Sequence, residues 1–356
     1  MGDHIARPES GGIPTLRWEE PPEGPVLVLL DQTRLPQAEV ELVCTDVQAL
    51  VAAIRSLAVR GAPVLGLAGA YGVALAAARG YDVEDAAELL AQARPTAVNL
   101  GYGVRRALAA YRRASPALAA AAALAEARAL HAEDAAASTA MAAHGRRLLS
   151  ELVPGGGYRI LTHCNTGALV SGGEGTALGV VMAVHRVGEL RRLWVDETRP
   201  LLQGARLTAY EAARAGMPYT LLVDSAAGSL FRAGEVDAVL VGADRIAADG
   251  STANKVGTYP LAVLAGYHRV PFVVVAPTTT VDLATADGAS IEVEQRSGGE
   301  VTDLAPSPLG TQAYNPAFDV TPPELISAIV TENGVVSPVT ADGLAAVCGQ
   351  SPRQGR

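Results

Sequence analysis

The stretch ADGSTANKVGTYPLAV holds Lys255, the single lysine among 28 basic residues, the rest being arginine. An ammonium on a flexible stem concentrates charge on one small group. It holds an anion, or joins proton chemistry, in ways a planar guanidinium does not. Asn254 precedes it, and an amide beside an ammonium suits hydroxyl or phosphate groups. Upstream, Asp244 follows the apolar run DAVLVGA. At the edge of a sheet such a carboxyl is partly desolvated, which raises its pKa and lets it act as a general acid near neutral pH. An ion pair with Arg245 or a helix cap is the bland alternative. Cys164 follows YRILTH and precedes Asn165, Thr166 and Gly167. A cysteine is more often an inert small hydrophobe, but a thiol at a strand tip is also a candidate nucleophile or base. Its neighbour His163 points to the opposite face of the strand and reads as structural. In VRGAPVLG, Arg60 and Gly61 precede Pro63, the pattern of a helix start whose free N–H groups face an anion. Arg94 opens RPTAVNLGYG in the same way, and both segments also read as ordinary helix starts. A phosphate bound between two domains would unite Arg60 and Arg94 with Lys255.

Two kinds of element must bring these residues together. RWEEPPEGPVLVLLDQ reads as two short strands joined by a Pro/Gly turn, the second spanning 26–30. Helical patterning then runs from about 46 to 152 and is rich in alanine, a strong helix former. PGGG at 154–157 breaks it, so a mainly helical domain with a small antiparallel sheet is expected over 1–153. Beyond that break, short apolar runs alternate with helix-length segments: YRILTH, RLWVD, PYTLLVD, DAVLVGAD and VPFVVVAP. This rhythm specifies an α/β fold, a Rossmann-like parallel-sheet domain over 154–356, because parallel neighbours need long crossovers. Ligands of such sheets sit beyond the carboxyl ends of the strands. The tips there read HCNTG, DETRPLLQG, DSAAG and GADRI, all small and polar. Turns and caps explain any one of them, and four in succession favour a shared pocket. Neither a dinucleotide fingerprint nor a P-loop is present.

Bulk composition narrows the function. Hydrophobic residues make up 49% of the chain and aromatic residues 4%, so the core is built of Ala, Val and Leu with close packing. A net charge of −9 and scattered arginines argue against a nucleic-acid partner. Cys44, Cys164 and Cys348 are odd in number and lack metal-ligand spacing, so neither a disulfide framework nor a metal site is expected, and a reducing cytoplasm fits. MGDHIARPES lacks the order of a secretion signal. The uncharged run 61–78 reaches the lower limit for a membrane span, but its Gly, Ala and Pro content favours a buried helix and no membrane partner.

Taken together, VRGAPVLG, RPTAVNL, LTHCNTGAL with GTALGV, DETRPLLQGARLTA, GADRIAADGSTANKVGTY and YNPAFDVTPPELI resemble, in order, the motifs of methylthioribose-1-phosphate isomerases. That family of methionine salvage shares a superfamily with translation-initiation regulatory subunits and ribose-1,5-bisphosphate isomerases. The match runs from about 17 to 334. It implies a homodimer and a cofactor-free conversion of an aldose 1-phosphate, 5-methylthioribose 1-phosphate, to the ketose 1-phosphate. It further implies Cys164 and Asp244 as the catalytic pair, with Arg60, Gly61, Ala62, Arg94, Gln203, Asn254 and Lys255 binding the sugar phosphate. After the NL of RPTAVNL this chain carries Gly101, Tyr102 and Gly103 where many members are bulkier, a departure expected to alter pocket size. A 5-deoxyribose 1-phosphate, ribose 1,5-bisphosphate or a non-catalytic sensing role are the competing readings, and retention of both Cys164 and Asp244 favours an enzyme.

Overall fold

A computed structural model describes residues 14–304 and 307–349. The reading of MGDHIARPES falls outside these residues. Strands β1 (Leu16–Glu19) and β2 (Val26–Leu30) pair antiparallel, Leu16 opposite Leu29, as the Pro/Gly turn between them requires. A third strand, β3 (Glu41–Cys44), adds to β2. The sequence reading missed it because ELVC is too short to display an alternation. Five helices follow: α1 (Val47–Arg55), α2 (Ala62–Arg79), α3 (Val83–Ala91), α4 (Val98–Arg113) and α5 (Ala119–Leu152). Asp46 and Asp82 cap α1 and α3 by accepting first-turn N–H groups.

Helix α2 is the described helix long and apolar enough to cross a membrane, yet every residue from 64 to 76 is buried within the protein. Its glycines let α4 approach closely. A Cβ on Gly103 would lie 1.9 Å from the Gly66 carbonyl oxygen, and one on Gly69 would lie 2.9 Å from that of Leu100. Gly103 therefore serves the α2–α4 crossing.

The chain breaks at 153–157, where Gly155, Gly156 and Gly157 all have positive φ, and a parallel sheet begins. Its strands and those that branch from it are β4 (Tyr158–Thr162), β5 (Leu190–Asp196), β6 (Tyr219–Leu222), β7 (Ala238–Val241), β8 (Arg245–Ala247), β9 (Thr252–Lys255), β10 (Phe272–Val275), β11 (Val281–Asp282), β12 (Phe318–Thr321), β13 (Ala328–Thr331) and β14 (Gly334–Val336). The large sheet runs β14-β13-β10-β7-β4-β5-β6, parallel except for β14. Strands alternate faces, as period-2 geometry demands. Val273 and Val275 pack toward α5, α6 (Ala177–Arg186) and α7 (Ala209–Arg214), whereas Phe272 and Val274 pack toward α8 (Ala227–Arg232) and α9 (Thr258–His268). Two further short helices are α10 (Gly299–Thr302) and α11 (Ala341–Gly349). The two main cores meet along α5, whose Leu130 belongs to the helical cluster and whose Met141 belongs to the sheet.

All five expected apolar runs are strands of this sheet. The sixth parallel strand, β13, follows a long stretch with little regular structure rather than a helix, so the strand–helix rhythm did not reveal it. A second sheet, ordered β11-β8-β9-β12, grows from the tip of β7. Its hairpin β8–β9 occupies GADRIAADGSTANK, where only a loop was expected, because its strands are short and polar.

Candidate active site

Cys164 lies two residues beyond β4 with φ 66, a left-handed conformation rare for a side chain with a Cβ. Its N–H donates to Thr198 Oγ1 at 2.8 Å, and its carbonyl accepts from Thr208 Oγ1 at 2.6 Å. The thiol is buried, with Arg60 Nη2 at 3.8 Å from Sγ. The same nitrogen reaches the Asn165 carbonyl at 3.5 Å, while Nη1 is buried with no partner among the described residues. Arg60 is aimed there by Gly61, the residue before α2, with φ 107. A Cβ on Gly61 would lie 2.3 Å from that of Val170, so only glycine fits.

Asp244 follows β7, its N–H held by the Ala253 carbonyl at 2.9 Å. Its carboxyl accepts no hydrogen bond from the described residues. Burial pushes its pKa up, and the charges of Lys255, Arg60 and Arg94 only partly offset this. The bland alternative fails: Arg245 turns away to the Thr96 carbonyl at 3.3 Å and to Asp282 at 3.6 Å. A poised carboxylic acid without a partner suits general acid chemistry.

Lys255 ends β9, donating to the Ala317 carbonyl at 2.6 Å with its ammonium 4.9 Å from the centre of the Phe318 ring. Burial lowers its pKa, while Cys164 and Asp244 act to raise it. The thiol and the carboxyl, far apart in sequence, thus share Arg60 and Lys255 as neighbours. A narrow cleft opens at Asp244, lined also by Gly61, Ala62, Arg94 and Asn99, while Arg60, Cys164 and Lys255 are not among its lining residues. Leu65, Val98, Ala253 and Ile291 give it an apolar wall. Its arginines are already neutralised in part, since Arg94 pairs with Glu294 at 3.2 Å.

Two expected binding residues are less directly placed. Gln203 is buried, its Oε1 lacking a partner among the described residues. Asn254 is buried and donates to Thr258 Oγ1 at 3.0 Å. Sequence reasoning missed Asn99, which lines the cleft, donates to Thr280 Oγ1 at 3.3 Å and leaves its buried Oδ1 without a partner. An asparagine near a helix start carries no distinguishing signal, although an amide oxygen in that position suits a sugar hydroxyl. Glu211 was also missed. It accepts from Asn165 Nδ2 and the Ala168 N–H, both at 2.7 Å, and burial raises its pKa.

Both ring nitrogens of His163 are engaged. Nδ1 lies 3.0 Å from Asp196 Oδ2 and Nε2 lies 2.9 Å from the Val256 carbonyl. Burial opposes charge on the ring, yet both nitrogens face acceptors, and the pKa is raised overall. Asp224 lies close by in a grouping that resembles a metal site. Its two oxygens are occupied, accepting the Thr198 and Arg199 N–H groups at 2.7 Å each.

The model of the initiation factor 2 subunit family matches residues 58–338. The chain is similar to the methylthioribose-1-phosphate isomerase of Pelotomaculum thermopropionicum, 48% identical over 341 residues and 92% of each chain. It is likewise similar to that of Anaeromyxobacter sp. strain K, 54% identical over 323 residues, 89% of this chain and 92% of the relative. Among solved structures, 5-methylthioribose 1-phosphate isomerase from Pyrococcus horikoshii superposes with a TM-score of 0.84 at 37% identity, covering 94% of this chain and 95% of the other. A chain from A. fulgidus described as the delta subunit of translation initiation factor eIF-2B gives 0.81 at 39% identity, covering 95% and 100%. With about half of its residues identical to named isomerases across nine-tenths of its length, this chain belongs to the initiation factor 2 subunit family and, within it, to the methylthioribose-1-phosphate isomerases.

Proposed function

We propose that this chain is an aldose–ketose isomerase that converts 5-methylthioribose 1-phosphate to 5-methylthioribulose 1-phosphate, a step of methionine salvage. The observation that carries the reading is that Arg60, 3.8 Å from the Cys164 thiol, and Lys255 both act by charge on Asp244, which lines the cleft. A sugar phosphorylated on its anomeric carbon cannot open spontaneously to an aldehyde. Asp244, whose pKa is raised by burial, donates to the ring oxygen as the ring bond breaks. Cys164 then takes the proton from the second carbon and, after exchange with solvent, delivers a proton to the first, while the Asp244 carboxylate accepts the proton of the second-carbon hydroxyl as the ketone forms. Arg60, Arg94 and Lys255 hold the phosphate, with Gly61 and Ala62 at the start of α2 and Gln203 and Asn254 on the sugar. No step calls for a cofactor.

Apolar Leu65, Val98, Ala253 and Ile291 in the cleft suit a methylthio or methyl group at the fifth carbon better than a second phosphate. The proposal includes a division between domains at 153–154, supported by the break in helical structure there. It also includes a homodimer, to which exposed Leu221 within β6, Val223 just after it, and Tyr259, Val263 and Tyr267 on α9 lend support. A cytoplasmic location accords with three buried free thiols.

Incubation with 5-methylthioribose 1-phosphate in deuterated water tests the chemistry. Ketose product carrying deuterium at the first carbon is expected. Product without deuterium would replace proton abstraction by a hydride shift, and no product with this substrate, but turnover of ribose 1,5-bisphosphate, would overturn the substrate assignment.

A further inference from the structure

The strand order β4-β5-β6 puts three loop tips side by side, and a chain of hydrogen bonds runs across them. At the far end, after β6, both Asp224 carboxylate oxygens accept backbone N–H groups, one from Thr198 and one from Arg199. In the middle, after β5, Thr198 donates its hydroxyl to the Asp196 carbonyl at 3.0 Å and accepts the Cys164 N–H at 2.8 Å. At the near end, after β4, stands Cys164 itself.

Two links of this chain are held in conformations that their residue types disfavour. Cys164 has φ 66 and Thr198 has φ 65, and a β-branched residue in the left-handed region is a genuine outlier. Such backbones persist only where the surroundings over-determine them, and here the surroundings do. Asp224 fixes the Thr198 turn with two bonds, while Gly204 presses against it. A Cβ on Gly204 would lie 1.7 Å from the Asp196 carbonyl oxygen and 2.9 Å from Thr198 Oγ1. Thr208 secures the other side of Cys164 through its carbonyl. Below them the bond from His163 to Asp196 ties β4 to β5 a second time.

We infer that Thr198, held by Asp224, is a positioning residue for the reaction: its hydroxyl sets the backbone turn that aims the Cys164 thiol at the substrate. The inference rests on the assignment of Cys164 to proton transfer. Thr198 meets Cys164 at its backbone N–H and Asp224 meets Thr198 at its own, so both act on the thiol through the backbone. An ordinary turn threonine would matter for stability alone. A positioning threonine matters for the chemical step, because misplacement by about 1 Å lowers rates by about 10²-fold.

Thr198→Val keeps the shape and removes the bond to Cys164, and Thr198→Ser keeps the bond. For the full-length protein, kcat, KM and the rate at which iodoacetamide labels the Cys164 peptide are measured by steady-state kinetics and mass spectrometry. Thr198→Val is expected to lose about 10–100-fold in kcat with KM nearly unchanged and with an altered labelling rate. Thr198→Ser is expected to restore both. Unchanged kcat and labelling in Thr198→Val would overturn the inference, as would a loss of kcat that Thr198→Ser fails to restore. If Thr198→Val does not fold, Thr208→Val on the carbonyl side carries the same expectation and the same refutation. Failure of the wild type to isomerise the sugar phosphate would sink the functional reading instead, and the labelling rate would still decide whether Thr198 places the thiol.

Discussion

At the tip of β4 both backbone groups of Cys164 are bonded to threonine hydroxyls, whereas at the tip of β7 the Asp244 carboxyl accepts no hydrogen bond from any described residue. The two proposed reacting groups are therefore controlled by different physics. The thiol is placed by short-range geometry that runs through Thr198 to Asp224. The carboxyl is tuned by long-range forces, with burial raising its pKa and three cations opposing that rise. Short-range bonds fail abruptly when one atom is removed. A field summed over several charges responds in small increments. Substitutions on the two sides should thus differ in kind as well as in size.

The largest effect is expected from removing the acid itself. Asp244→Asn preserves shape and abolishes the proton, so kcat should fall by about 10³-fold while KM changes little. Steady-state kinetics checks this, and a loss below tenfold would show that ring opening draws its proton elsewhere. On the geometric side, Gly204→Ala drives a methyl group into the Asp196 carbonyl and the Thr198 hydroxyl. It should lower stability by about 2 kcal/mol in urea unfolding and reduce kcat together with it. A fully stable and fully active variant would mean that the β5 tip yields easily and places nothing. Next comes Lys255→Arg on the side governed by charge. The ammonium fits between the Ala317 carbonyl and the Phe318 ring, where a wider guanidinium does not. A rise of about tenfold in KM, worth roughly 1.4 kcal/mol, is expected, and an unchanged KM would remove Lys255 from phosphate binding.

The same contrast explains what could be read in the sequence. Groups that announce themselves by type or by position after an apolar run were legible: Cys164, Asp244, the unique Lys255, and Arg60 before a Gly-Ala-Pro helix start. The five strands were legible from their apolar runs, most plainly β7 and β10, whose burial on both faces leaves no alternation to misread. Thr198, Thr208, Asp224 and Glu211 were not singled out. Each is an ordinary residue type for a turn or helix, and its importance comes from a partner 25 to 46 positions away. β13 and the β8–β9 hairpin were hidden likewise, because their pairing is set by tertiary neighbours rather than by local pattern. Asn99 became visible only once its side-chain oxygen was seen to face a cleft with no partner.

The smallest and most discriminating effect belongs to Glu294, which pairs with Arg94 at the mouth of the cleft. Its negative charge contributes to the raised pKa of Asp244. Glu294→Gln removes that charge and also frees Arg94, whose positive charge favours the ionised carboxyl. Both changes stabilise carboxylate over acid, so the pKa of Asp244 must fall. A general acid works only while protonated, and activity is lost as pH rises through its pKa. The alkaline limb of kcat/KM, which reports the free enzyme, should therefore move to lower pH in Glu294→Gln. The displacement should stay below about one pH unit, because side chains exposed at 16% and 25% are partly screened by solvent, and added salt should shrink it further. KM at neutral pH should fall at the same time, since Arg94 no longer has to leave a carboxylate before it meets the substrate phosphate. A limb that stays in place or moves upward would mean that Asp244 does not titrate as the acid in this field. The asymmetry between a thiol set by bonds and a carboxyl set by charge would then disappear.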